Sequence, residues 1–170
     1  DVLLDCLSDT LDAHPSFNAT FEDGTHRLYE EHNVGVAVAI EDGLVAPVLA
    51  DVGSMSLAEV ARERRRLTES VQAGEHSMAD LRGGTITLSN LGPLGVDSFS
   101  PIINPPEVAI LGVSRLRERA RPNGGDGVAF RRQVTFDLSF DHRVVDGADA
   151  ARFLGTLAER VEAADRYLDG

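Results

Sequence analysis

The residues best suited to acid–base chemistry lie near the carboxyl end of the chain, in the segment from Asp141 to Gly147. His142 follows an apolar, strand-like run, and Asp146 lies four residues later, where a helix is predicted to begin. Because neutral imidazole accepts protons near neutral pH, His142 is a candidate general base. By residue type and spacing alone, a surface or hydrogen-bonded histidine is the more common case. A metal site is disfavoured, since no second His or Cys lies at ligand spacing.

The elements around this segment must be helices and strands in mixed order. Apolar residues at helical spacing predict a first helix over residues 2–13 and a last one over 148–164. Ser56 and Glu59 form a capping-box pattern for a helix that ends at Gly74, and Ser77 with Asp80 resembles a second, shorter cap. Strands are predicted at 17–21, 27–31, 34–40, 44–49, 85–89, 108–113 and 134–140, with a hairpin turn at 23–24, a turn at 41–43 inside a buried hairpin, and an exposed turn at 122–127. This order predicts an α/β fold with a mixed sheet.

Charge and composition exclude several classes of function. The formal net charge of −12 disfavours binding to nucleic acid or to anionic membranes. All 16 basic residues are arginine, so the chain carries no lysine for a lipoyl or biotinyl group, a pyridoxal phosphate Schiff base or a P-loop. An acidic surface without lysine is consistent with a halophilic protein; a genome that favours arginine codons explains it equally simply. The one cysteine, Cys6, is predicted to be a small buried core residue.

Four sequence blocks, taken in order, resemble a known family. The segment 141–147 reads Asp-His-Arg-x-x-Asp-Gly and is followed by Ala-Arg-Phe-Leu at 151–154. Upstream lie Gly-Gly-Thr-Ile-Thr-Leu-Ser-Asn-Leu-Gly at 83–92 and Pro-Ile-Ile-Asn-Pro-Pro-Glu-Val-Ala-Ile-Leu-Gly-Val at 101–113. Earlier blocks are Asp-Gly-Leu-Val at 42–45 with Pro-Val at 47–48, and Pro15 with Phe-Asn-Ala at 17–19. Together they resemble the catalytic domain of the dihydrolipoamide acyltransferases, the core components of 2-oxo acid dehydrogenase complexes.

The resemblance implies a thioester exchange that moves an acyl group from a dihydrolipoyl arm to coenzyme A. A thiol with a pKa of about 8.5 is mostly protonated at neutral pH, so the reaction needs a base. The matching positions make His142 that base and the hydroxyl of Ser89 the donor to the oxyanion. Asp146 is given an orienting role through an ion pair with an arginine, and a simple helix cap is the alternative for it. Asp141 and Arg143 are expected to position the loop.

The resemblance also implies residues that contact substrate. Asn104 and Pro105 are expected to line the substrate channel, and a rigid turn between loop and strand is the equally weighted alternative. Asn90 is the third residue expected to bind substrate. Coenzyme A is then a substrate, the lipoyl group is supplied by a separate domain, and no metal is expected.

At the level of the fold, the resemblance implies a two-layer α/β sandwich with a mixed sheet, like chloramphenicol acetyltransferase. Residues 1–170 are interpreted as one catalytic domain without its N-terminal segment, where the arginine partner of Asp146 lies, and without a lipoyl or peripheral-subunit-binding domain. The implied assembly is a homotrimer with each active site between two subunits, built into a cubic or dodecahedral core. The implied partners are a lipoyl domain, the decarboxylase and dihydrolipoamide dehydrogenase. We expect a cytoplasmic protein without membrane contact.

Two other functions remain open at this point. A stand-alone acetyltransferase of the chloramphenicol type has the same spacing from histidine to Asp-Gly, although such enzymes usually begin the motif with His-His, where this chain has Asp141 and His142. A non-catalytic module that builds an oligomeric scaffold belongs to a different class. The joint presence of His142, Ser89 and Asp146 argues against it.

Overall fold

A computed structural model describes residues 1–41, 43–125 and 127–167 of the chain. The turns predicted at 41–43 and 122–127 include Asp42 and Asp126, which lie outside the described residues. Three α-helices are described: α1 Val2–Ala13, α2 Leu57–Gln72 and α3 Gly147–Glu162. The described residues also form eleven strands: β1 Ala19–Glu22, β2 Thr25–Leu28, β3 Val34–Val36, β4 Val38–Ile40, β5 Gly43–Val45, β6 Val48–Leu49, β7 Ile86–Asn90, β8 Ala109–Val113, β9 Arg117–Pro122, β10 Val128–Gln133 and β11 Phe136–Phe140.

All three predicted helices are confirmed: α1 has the predicted ends, and the ends of α2 and α3 differ from the prediction by at most two residues. In α1 the predicted apolar face is buried, and Cys6 is fully buried beside it, as expected. The capping box of α2 is also confirmed: the Ser56 hydroxyl accepts from the amide of Glu59, and the Glu59 carboxylate accepts from the amide of Ser56. Ser77 and Asp80 make the same reciprocal bonds, but no helix follows them, because the chain turns at once toward Gly83, where φ is +84°.

The central sheet has five strands in the order β11-β8-β7-β3-β6. The inner pairs β3–β7 and β7–β8 are parallel, whereas the edge pairs β3–β6 and β8–β11 are antiparallel. This arrangement confirms the predicted mixed-sheet α/β class. Helices α1 and α3 pack against each other, and their apolar residues share one core with the strands. Aromatic side chains join the two layers: the Phe17 ring lies 4.7 Å from that of Phe153 and 6.5 Å from that of Phe140.

The hairpin predicted from 34–40 and 44–49 is confirmed in its antiparallel pairing, but the prediction that it is buried is wrong for most of its outer half. Strands β3 and β6 belong to the central sheet, but β4 and β5 form a separate two-stranded ribbon on which Leu44 is largely exposed. The break occurs at Ala37, whose amide donates to the carbonyl of Leu88 at 2.9 Å, and at Pro47, which has no amide hydrogen to donate. Each of the two predicted strands is therefore divided into two short ones: β3 and β4 before the turn, and β5 and β6 after it.

Other strand predictions differ at their ends or were missed. The first strand is preceded by a 3₁₀ turn at Pro15–Phe17, so it begins at Ala19, and its partner β2 ends at Leu28. Strands β9 and β10 form an antiparallel hairpin that the sequence analysis did not predict. Both strands are mostly exposed and rich in arginine, so they lack the apolar alternation by which strands are recognised. The last strand, predicted from Val134, begins at Phe136.

Candidate active site

A short, braced loop carries His142. The chain leaves β11 at Phe140, and the amide of Asp141 still donates to the carbonyl of Val108 at 2.8 Å, so the loop starts in register with the sheet. The Asp141 carboxylate then accepts from Nε of Arg143 at 2.9 Å, and this bond lowers the pKa of Asp141. The Arg143 guanidinium lies 4.4 Å from the centroid of the Phe21 ring. Asp141 and Arg143 thus fix the shape of the loop.

The His142 side chain is exposed on this loop. Its imidazole lies 5.7 Å from the ring of Phe140, at a tilt of 48°. In the part of the chain that the structure describes, neither ring nitrogen has a hydrogen-bond partner. A histidine whose loop is held in place and whose two ring nitrogens are free can exchange a proton with a molecule from outside the chain.

Asp146 ends the loop as the N-cap of α3. One carboxylate oxygen accepts from the amides of Asp149 and Ala148 at 2.9 and 2.8 Å, and these bonds, that of Asp149 first, lower the pKa of Asp146. The Asp149 carboxylate accepts in return from the amide of Asp146 at 3.3 Å. The helix-cap role is therefore confirmed. Among the described residues no arginine forms an ion pair with Asp146, so its orienting role stays a prediction.

Ser89 lies on β7 at the wall of a cavity of about 490 Å³. The cavity is otherwise lined mainly by apolar side chains, with Thr87, Ser100 and Asn104 as further polar residues. In register, Ser89 faces Gly112 on β8, and a Cβ added at Gly112 would lie 2.9 Å from the ring of Phe99, which also lines the cavity. The absence of a side chain at Gly112 therefore lets Phe99 pack closely beside the strand that holds Ser89.

The other residues expected to bind substrate divide into two groups. Asn104 lines the cavity, and its contact with substrate stays a prediction. Pro105 belongs to a cis peptide bond with Pro106 and does not line the cavity, in keeping with the alternative of a turn between loop and strand. Asn90 also lies outside the lining, and its side-chain oxygen accepts from the amide of Gly92 at 2.9 Å. For Pro105 and Asn90 a contact with substrate stays a prediction.

Behind the cavity lies a buried carboxyl group to which the sequence analysis gave no role. Glu107 is 5% exposed, accepts from the hydroxyl of Thr87 at 2.6 Å and from the amide of Asn104 at 3.2 Å. Burial raises the pKa of Glu107 to about 7, against the smaller opposing effect of these two bonds. A signal was present in the sequence, because Glu107 stands alone at the start of the apolar run that forms β8.

Ser89 and His142 do not meet within one chain. Ser89 is level with Gly112, which is level with Asp137 on β11, and His142 follows five residues later. Two strand spacings of about 4.8 Å and five residues of about 3.3 Å place the two Cα atoms on the order of 15–20 Å apart. The side chains of one serine and one histidine cannot bridge that separation, so a shared site requires a second copy of the chain.

A second histidine has the opposite surroundings. His32 is 6% exposed, its Nδ1 lies 2.7 Å from the hydroxyl of Ser8, and its Nε2 lies 3.5 Å from the carboxylate of Asp12. A Cβ added at Gly53 would lie 3.1 Å from Nδ1, so the backbone at Gly53 packs directly against that side of the His32 ring. Both nitrogens face groups of the chain itself.

Two other kinds of feature are absent from the described residues. Neither a cluster of three or more metal-ligating His, Cys, Asp or Glu side chains nor a helix long and apolar enough to cross a membrane is found in that part of the chain.

The fold defines the class of protein. Chloramphenicol acetyltransferase has the same fold with a TM-score of 0.61 at 16% identity, covering 93% of this chain and 75% of that one. The chain belongs to the family described as 2-oxoacid dehydrogenases acyltransferase (catalytic domain), whose model matches residues 1–168.

Relatives within this family act on different acyl groups. The dihydrolipoyllysine-residue acetyltransferase component of the pyruvate dehydrogenase complex of Haemophilus influenzae is 40% identical over 91% of this chain and 28% of its own length. The succinyltransferase component of the 2-oxoglutarate dehydrogenase complex of Bartonella vinsonii is 40% identical over 91% of this chain and 37% of its own. The lipoamide acyltransferase component of the branched-chain complex of Pseudomonas aeruginosa is 43% identical over 82% and 33%. The chain thus spans about a third of the length of these relatives.

Solved structures give the same result. The dihydrolipoamide acetyltransferase of Azotobacter vinelandii, investigated for the role of a serine, a histidine and an asparagine in its catalytic mechanism, matches with a TM-score of 0.92 at 33% identity over 98% of this chain and 69% of that one. The cubic core of a pyruvate dehydrogenase multienzyme complex matches with a TM-score of 0.92 at 34% identity, again over 98% and 69%.

Proposed function

We propose that this chain transfers an acyl group between a dihydrolipoyl arm and coenzyme A, as the catalytic domain of a 2-oxo acid dehydrogenase complex. The observation that carries the proposal is the imidazole of His142: it is exposed, it has no partner in the described part of the chain, and its loop is held by the pair of Asp141 and Arg143. Family membership supplies the reaction class.

The chemistry follows from the groups present. His142 takes the proton from the coenzyme A thiol, and the thiolate sulfur attacks the carbonyl carbon of the acyl-dihydrolipoyl thioester. The negative oxygen of the tetrahedral intermediate accepts a hydrogen bond from the hydroxyl of Ser89. The intermediate collapses with cleavage of the bond to the dihydrolipoyl sulfur, which receives the proton from His142. The products are acyl-coenzyme A and the free dihydrolipoyl thiol.

The site is completed between two copies of the chain. The separation of Ser89 and His142 within one chain supports an arrangement in which the His142 loop of one copy approaches the Ser89 cavity of its neighbour in a trimer. In the Azotobacter vinelandii enzyme the investigated histidine and asparagine have the four-residue spacing of His142 and Asp146. We assign Asp146 a positioning role for the His142 loop in addition to its cap. The aspartate here, in place of asparagine, retains an acceptor at that position.

The remaining roles concern substrate and partners. Asn104 contacts substrate from the cavity wall, Pro105 and Asn90 border the same channel, and coenzyme A enters as a substrate. The lipoyl group comes from a separate domain, since this chain has no lysine to carry it. Trimers assemble into a larger core, like the cubic core that the chain resembles, and that core binds the decarboxylase and dihydrolipoamide dehydrogenase in the cytoplasm.

Mixed assemblies test the shared site directly. Two variants that are each expected to be inactive, His142→Ala and Ser89→Ala, are made in the protein as it is naturally expressed. The two variants are expressed together, and each carries its own affinity tag. If each site takes its histidine and its serine from different chains, random assembly leaves about a quarter of the sites with both groups intact, and acyl transfer returns in proportion. His26→Ala, a half-buried surface histidine, serves as the active control.

The outcome separates the possible arrangements. Activity of the purified mixed assembly at the level of the single variants would contradict a site between chains. Full activity of either single variant would remove that residue from the mechanism, and acetyl transfer to chloramphenicol alone would favour the stand-alone class.

A further inference from the structure

The cavity beside Ser89 has a distinctive charge pattern. Among the described residues that line it, apolar side chains such as Leu91, Phe99 and Ile110 predominate, and the polar ones are hydroxyls and the amide of Asn104. No arginine or histidine belongs to this described lining. Within one chain, the described wall can accept and donate hydrogen bonds, but it supplies no positive charge.

An acidic group lies directly behind the described lining. Glu107 is bonded to Thr87 and to Asn104, and both of these residues line the cavity. Burial raises the pKa of Glu107 to about 7, and neither of its protonation states carries a positive charge. A second carboxylate placed in the cavity would find no counter-ion in the described lining.

The cost of such a placement is large compared with the gain from the apolar wall. A carboxylate that leaves water without a cationic partner loses its hydration, whereas each methylene of an aliphatic acyl chain gains from contact with the wall. Arg82 is the nearest basic residue in sequence to the lining, next to Leu81, but it is exposed and does not itself line the cavity.

We propose that this cavity selects uncharged aliphatic acyl groups and rejects acyl groups that carry a carboxylate. The proposal rests on the acyl-transfer function above and names the substrate class of that site. The family by itself leaves the class open, since acetyl, succinyl and branched-chain acyltransferases all match the chain at 40% identity or more.

Acyl-dihydrolipoamides of different charge test the proposal in the naturally expressed protein. Acetyl, isobutyryl and succinyl thioesters are compared by kcat/KM for transfer to coenzyme A. We expect both neutral groups to exceed succinyl by at least about tenfold. A smaller advantage, or a preference for succinyl, overturns the proposal while leaving acyl transfer intact. Transfer of none of the three instead overturns the function on which the proposal rests.

A charge introduced at the cavity tests the cause. Ile102 lines the cavity and is 88% exposed, so Ile102→Arg adds a cation without disturbing the core. We expect this variant to raise succinyl transfer relative to acetyl by about tenfold, and the neutral control Ile102→Gln to leave the ratio unchanged. An unchanged ratio in Ile102→Arg contradicts the proposal. So does a loss of succinyl transfer in Arg82→Gln, because it would identify Arg82 as a cation already serving the cavity.

Discussion

His32 and His142 are the same residue type in opposite surroundings. His32 lies inside the molecule between Ser8 and Asp12, and both of its nitrogens face groups of the same chain. His142 lies outside the sheet on a loop, and its nitrogens face no group in the described part of the chain. Ser8, His32 and Asp12 form a Ser-His-Asp set within one chain, an arrangement often taken as a sign of catalysis, yet its histidine is buried.

The comparison teaches that catalytic capacity depends on free hydrogen-bonding groups held by a fixed frame. The bonds of His32 are already satisfied within the fold, so they contribute to stability. The bonds of His142 are left for substrate, while Asp141, Arg143 and Asp146 hold the loop in place. Four experiments test this division of roles.

The largest effect is expected from His142→Ala. Loss of a general base typically lowers the rate by about 10³-fold, and the variant should unfold at the temperature of the unmodified protein, because the removed ring makes no hydrogen bond in the described structure. Acyl transfer to coenzyme A and thermal unfolding are measured on the same sample. A variant that loses activity only because it unfolds would break the comparison.

The next largest effect is expected on the pH dependence of stability and comes from Glu107, which is buried like His32 but lies behind the cavity. Its pKa is about 7 when folded and 4.5 in the unfolded reference, so the folded state holds the proton more tightly. Stability from this group is complete below about pH 4.5 and is lost as the pH rises through about 7; the full difference is on the order of 3 kcal/mol.

Denaturant unfolding between pH 4.5 and 8 measures that difference. Glu107→Gln keeps the shape and one of the two acceptor oxygens but does not titrate, so its stability should vary less with pH than that of the unmodified protein. Parallel curves for the two proteins would show that the fold does not raise the pKa of Glu107.

His32→Ala is expected to reverse the pattern of His142→Ala. The substitution leaves the buried Ser8 hydroxyl without its partner and creates a cavity, so the free energy of unfolding should fall by about 2 kcal/mol while kcat/KM changes little. Urea unfolding and the coenzyme A assay check both parts. A large fall in kcat/KM at a temperature where the variant is folded would assign His32 a role in the reaction.

The smallest effect is expected from the helix cap in the His142 loop. Asp146→Ala removes the acceptor for the amides of Ala148 and Asp149 and should lower the unfolding temperature by roughly 3 °C. Asp146→Asn should restore most of that loss, since asparagine is an equally good cap. Asp146 positions the loop as proposed if Asp146→Asn preserves the rate of acyl transfer and Asp146→Ala lowers that rate at a temperature where the variant is still folded.

Much of the fold was predictable because its signals are local. The apolar spacing of α1, the Ser56–Glu59 capping box and the cap of α3 each depend on residues within one or two helical turns. The failures have a different origin. The hairpin β9–β10 carries charge on exposed strands, and the run from Val34 to Ile40 was divided by contacts with Leu88 and Pro47, which are distant in sequence or on the partner strand.

For the candidate site, the sequence alone predicted the position of each residue relative to its element: a serine at the end of a strand, a histidine after a later strand, and an aspartate at the start of the next helix. Only the tertiary structure decided that His142 is free while His32 is enclosed, that Ser89 and His142 are far apart in one chain, and that Glu107 lies buried behind the cavity. The physical reason is that caps and periodicity arise between near neighbours. Burial, and with it the protonation and availability of a side chain, depends on which distant residues the sheet brings alongside it.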